Sequence, residues 1–141
     1  MIIAVDFDGT IVEHVNMIHH YPQLGQPVPG AIEALKSFTD LGASIILWTM
    51  RSEIMNGQNH IDIAVDYLVS NGVNLYGINK NPTQHHWTLS PKAHADLVID
   101  DIAFGCPLCK PSGFNSYCVD WSIVRPVVED ILRKRYDNST H

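Results

Sequence analysis

Short apolar runs alternate with helical stripes along this chain, and that alternation leaves few folds open. Ile2 to Val5, Ser44 to Trp48, Asn74 to Ile78, Leu97 to Ile99 and Ser116 to Val119 each read as a strand. The runs are largely continuous in apolar character, as expected for strands buried on both faces. Between the first two, Pro29 suits a first helical turn and Gly42 a helix end, with Ala31, Leu35 and Phe38 spaced for one face. Ile61, Ala64, Val65 and Leu68 form the stripe of a second helix over His60 to Asn71, which Gly72 ends. A third helix covers about Ser122 to Tyr136. Its stripe is read as Ile123, Val127 and Ile131, with Val124, Val128 and Leu132 beside it. The basic run Arg133-Lys134-Arg135 suits the negative end of its dipole.

Strands separated by helices imply an α/β fold: a parallel sheet of about five strands, Rossmann-like, with helices on both faces as a three-layer sandwich. The length of 141 residues suits one domain, residues 1–141, with a core that needs no staples. A net charge of -6 argues against a nucleic-acid binder, which needs a basic footprint. No apolar run approaches a membrane span, and no secretory leader is read at the start. Three cysteines, Cys106, Cys109 and Cys118, cannot all pair within one chain, so a reducing, cytoplasmic setting is expected.

In parallel sheets ligands gather at the carboxyl ends of the strands. Asp6 and Asp8 end the first strand, and Thr49 ends the second in "IILWTMR". Lys92 precedes the fourth in "LSPKAHAD", and Asp100 and Asp101 end it in "LVIDD". Residues two apart on an extended segment point the same way, so Asp6 and Asp8 are expected to face one site. Several carboxylates in one dry crevice repel each other, and a divalent cation relieves the repulsion. Oxygen-only ligands with room for water favour Mg²⁺. A hydroxyl and an ammonium beside such a metal suit a phosphoryl group, and a spare carboxylate can attack its phosphorus.

Together these residues resemble the haloacid dehalogenase superfamily. Its phosphatases carry an Asp-x-Asp after the first strand (here "DFDGT"), a Thr or Ser after another, a lysine, and an acidic pair after a further strand. The resemblance spans residues 1 to 101. It implies a Mg²⁺-dependent phosphohydrolase acting on a phosphate monoester through an aspartyl-phosphate on Asp6. It also implies Asp8 as general acid and then base, its backbone carbonyl on the metal, with Thr49 on a phosphate oxygen and Lys92 steadying both phosphate and Asp6. Asp100 would bind the metal, and Asp101 directly or through water. Gly9 and Thr10 would shape the turn that aims Asp8. Arg51 is a further candidate for phosphate or substrate.

Neither Ile11 to Leu47 nor Met50 to Pro91 has room for the cap domain that many members carry. An open site is expected, closed at most by loops 14–28 and 79–91 or by a partner subunit; a homo-oligomer is compatible with this. The phosphorylated substrate is left unnamed. Two alternatives remain: a receiver-like phosphoacceptor, whose motif order differs, and a non-catalytic protein that binds phosphorylated ligands. His19-His20 and His85-His86 read as surface loops. The Cys106 to Cys109 spacing lacks the second pair of a zinc site.

Overall fold

A computed structural model of the chain describes residues 1–15, 24–53 and 59–140. Strands β1 (Ile2–Val5), β2 (Ser44–Leu47), β3 (Leu75–Ile78) and β4 (Leu97–Ile99) form a parallel sheet in the order β3-β2-β1-β4. Helices α1 (Ala31–Asp40) and α2 (His60–Ser70) supply the crossovers from β1 to β2 and from β2 to β3. Consecutive right-handed crossovers in one direction fall on one face. Accordingly Ile3, Val5, Ile45, Leu47 and Ile99 share one core with Ala31, Ala34, Leu35 and Phe38 of α1 and Ala64 and Leu68 of α2. Among the described residues no helix is long and apolar enough to cross a membrane.

Three expectations need correction. The connection from β3 back to β4 runs the other way across the sheet and so lies on the opposite face. It carries no α-helix, only a 3₁₀ turn at Gln84–His86. Ala4 and Val98 point to this face and meet residues 87–95. The segment is knitted by polar side chains instead: Gln84 Nε2 donates to the Ser90 and Lys92 carbonyls, and its Oε1 accepts from His94 N–H. Helices therefore pack on one face of the sheet rather than both. The fifth strand also belongs elsewhere. The main sheet has four strands, and Cys118–Val119 (β6) pairs antiparallel with Leu108–Cys109 (β5) as a separate ribbon. The run was too short to reveal its partner.

The last helix, α3 (Trp121–Ser139), buries a different stripe from the one the spacing suggested. Trp121, Val124, Val128 and Leu132 face the core, while Ile123 and Val127 are half exposed. The rotation is set at the helix start. The Trp121 ring packs 6.3 Å from that of Phe38, and its Nε1–H donates to the Thr10 carbonyl at 2.8 Å. Two apolar rows at the same spacing ran side by side, and the tryptophan anchor selects between them. That bond also ties α3 to the turn after β1, where the acidic residues gather.

Candidate active site

The β1–β4 ladder extends one residue past the strand ends: Asp6 N–H donates to the Ile99 carbonyl at 2.9 Å. This register brings Asp6 alongside Asp100. One carboxylate oxygen each from Asp6, Asp100 and Asp101 lies within 4.8 Å of the others. After Asp6 the chain turns sharply, with Thr10 and Ile11 N–H both donating to the Phe7 carbonyl. Gly9 takes φ +84 there, and a Cβ at Gly9 would sit 2.4 Å from Asp101 Oδ2. Only glycine fits both the conformation and the space. Thr10, wholly buried, donates its hydroxyl to Asp6 Oδ2 at 2.9 Å and accepts from Asp101 N–H at 3.3 Å. One hydroxyl thus ties the two acidic segments together.

The electrostatics follow from this crowding. Burial, with the Asp100 charge second, pushes the Asp6 carboxyl up to about 7. Hydrogen bonds from Phe7 N–H and Thr10 resist the rise only in part. Asp101 is raised as well, first by burial and then by Asp100. Two of the three acids, Asp6 and Asp101, are thus held back from ionising beside Asp100; the trio is a hard-oxygen site, and a divalent cation would relieve the repulsion.

Asp8 faces a different partner. Arg51 grips it with Nε on Oδ2 and Nη2 on Oδ1, each at 2.7 Å. The guanidinium also lies 4.8 Å from the Phe7 ring centroid, and Nη1 donates to the His60 carbonyl at 3.5 Å. The Arg51 side chain is 0% exposed. These contacts make Arg51 a clamp on Asp8, and the residue also lines the cleft beside Thr49. Asp8 and Asp6 line one cleft as expected, but their carboxylates do not join in one cluster. The turn at Phe7 breaks the extended alternation, and Asp8's carboxylate lies outside the acidic trio.

Thr49 sits at the same edge. Its Oγ1 accepts from Arg51 N–H at 3.2 Å, which leaves its own proton to donate outward. Its N–H is taken by Asn79 Oδ1 at 2.8 Å. Asp6, Asp8, Thr49, Arg51, Asp100 and Asp101 line one cleft of ≈200 Å³, together with His14, Val15, Met50 and Ile102. His14 lies near enough to lower the Asp101 carboxyl slightly against the larger rise.

Lys92 is not brought to this cleft. It is exposed and lines a separate hollow on the helix-free face with Trp48, Trp87 and Val98. It forms no ion pair among the described residues. The polar knit around Gln84 holds its segment against the sheet face. The other singled-out residues fall elsewhere. His85 and His86 stack with ring centroids 4.1 Å apart beside Pro82. Cys109 faces Cys118 across the β5–β6 ribbon. His19 and His20 lie outside the described residues. Sequence reasoning missed Asn79, whose only signal was its place directly after an apolar run.

No family model and no curated protein matches the chain. It is similar to a solved structure of a conserved protein coded by a locus from Bacteroides thetaiotaomicron, with 34% identity and a TM-score of 0.66. The match covers 92% of this chain and 90% of that one. At that identity over nearly the full length of both, the chain belongs to the family of this conserved Bacteroides protein.

Proposed function

We propose that the chain is a metal-dependent phosphohydrolase of the haloacid dehalogenase type, acting on phosphate monoesters. The observation that carries this reading is the convergence of Asp6, Asp100 and Asp101 at a sheet edge that also holds Thr49 and Asp8. Such a trio fits a hard divalent cation, since the Asp6 and Asp101 carboxyls are both raised without one. Asp6, Asp100 and Asp101 would hold Mg²⁺, which when bound favours ionised Asp6 and neutralises the phosphoryl oxygens.

The chain's own residues then divide the work. Thr10 holds Asp6 Oδ2, so Oδ1 is the oxygen presented for attack. Asp6 attacks phosphorus, forming an aspartyl-phosphate as the ester P–O bond breaks. Thr49 donates its hydroxyl proton to a phosphoryl oxygen. Asp8 delivers a proton to the leaving oxygen and later takes one from the water that releases phosphate. Both Asp8 oxygens accept from Arg51, so this proton traffic requires the clamp to free one of them. With Lys92 elsewhere, the charge of the phosphate falls on the cation and on hydrogen-bond donors of the edge.

The distant Lys92 favours a second reading, a protein that binds phosphorylated ligands without turnover. A panel of phosphate esters, assayed with Mg²⁺ and then with chelator, separates the two. Hydrolysis that chelation abolishes supports the enzyme. Phosphate binding with no turnover of any ester supports the binder.

A further inference from the structure

We infer that Asn79 is a positioning residue that sets the phosphate-binding pose of Thr49. The assignment rests on the proposed phosphate site and adds a residue to it. Asn79 follows β3, next to the end of β2. It is the one non-glycine residue with positive φ among the described residues, at +52. Asparagine visits this region more readily than other side chains, and a single such residue at a strand end marks a local demand. The demand is visible in its bonds. Asn79 N–H donates to the Leu47 carbonyl at 2.8 Å, prolonging the β2–β3 ladder. The left-handed turn then swings the side chain back, so that Oδ1 accepts Thr49 N–H at 2.8 Å. Thr49 is thereby held at both ends, its nitrogen by Asn79 and its Oγ1 by Arg51 N–H.

The consequence concerns a single proton. A threonine hydroxyl has one proton to donate, and its direction follows the backbone and χ1 of the residue. Thr49 is 9% exposed and lies two residues past the end of β2, so the bond from its N–H to Asn79 Oδ1 fixes its backbone where the strand ladder no longer does. Loss of the Oδ1 acceptor frees Thr49 N–H and lets the edge of the cleft relax. Phosphate affinity falls while the fold persists.

The test uses Asn79→Gly and Asn79→Asp in the full-length protein. Glycine accepts φ +52 without strain, so Asn79→Gly removes the side chain and spares the turn. Asn79→Asp keeps an acceptor oxygen and tolerates the same turn, and it serves as the rescue variant for Thr49 geometry. Binding of inorganic phosphate is titrated calorimetrically with Mg²⁺ present, and KM and kcat are measured on an aryl phosphate. The expected result for Asn79→Gly is a loss of phosphate affinity and a rise in KM of about 5–10-fold, with kcat changed by no more than about twofold, the size expected for one neutral hydrogen bond. A purely structural role would lower the melting temperature and leave affinity and KM where they were. Equal phosphate affinity in wild type and Asn79→Gly overturns the assignment, whatever happens to turnover. A wild type that binds phosphate more tightly than Asn79→Gly but hydrolyses no ester leaves Asn79 in its role and overturns the phosphohydrolase reading. A wild type that binds no phosphate overturns both.

Discussion

Replacing Asp6 by asparagine should make the metal-free protein more stable while removing its activity. Burial and the Asp100 charge raise the Asp6 carboxyl from an ordinary 3.8 to about 7. The folded chain therefore keeps a proton that the unfolded chain has already released. Stability contributed by this group is full below about pH 4, falls as pH rises, and is lost above about pH 7. At 1.36 kcal/mol per pH unit, the loss is roughly 4 kcal/mol at pH 8 and less than half of that at pH 5. Asparagine keeps the shape and an oxygen for the Thr10 hydroxyl but carries no charge. For a chain of this length 1 kcal/mol corresponds to about 3 °C. Asp6→Asn should then melt about 10 °C above wild type at pH 8 in chelator, with a gap less than half as wide at pH 5. Added Mg²⁺ should raise the wild type at pH 8 and shift the variant much less. The assay is thermal denaturation followed by circular dichroism at the two pH values, with and without the cation. If Asp6→Asn melts at or below wild type at pH 8 in chelator, the account of crowded acids at this edge is wrong.

Other perturbations probe the parts around it. Arg51→Met strands Asp8 in a largely buried place, so denaturant melts should show a loss of about 3 kcal/mol or more. Gly9→Ala combines a left-handed backbone with a Cβ that would collide with Asp101; it should weaken Mg²⁺ binding at least tenfold by calorimetry and lower the melting temperature. Lys92→Ala should leave kcat/KM within about twofold of wild type, since the ammonium lies on the other face of the sheet. A loss of a hundredfold or more would return that lysine to the site.

The acidic edge was legible because continuous apolar runs that stop at aspartate mark strand ends in a parallel sheet. Asp6, Asp100 and Asp101 needed only the strand order to meet, and register did the rest. What failed to read has identifiable causes. The bond from Arg51 to Asp8 was not legible because spacing does not reveal burial; the Phe7 ring and Asp8 hold the guanidinium in place. Lys92 looked close because it precedes Asp100 by eight residues, yet β4 itself lies between them, and Lys92 sits with residues 93–95 on the helix-free face before that strand begins. The buried stripe of α3 was ambiguous between two parallel rows, and a long-range bond from Trp121 to Thr10 decides it. Asn79 acts through its backbone angle, which side-chain chemistry does not announce. In each case a tertiary contact, absent from local pattern, chose between options that the residues left equal.

The reaction leaves a covalent mark that can be sought directly. Protein mixed with a rapidly hydrolysed phosphate ester and Mg²⁺, quenched in acid within milliseconds and digested, should yield an N-terminal peptide heavier by one phosphoryl group, with fragment ions placing it on Asp6. The same peptide from Asp6→Asn should carry none. Steady turnover with phosphate found on no residue, or on a side chain other than Asp6, would contradict the account.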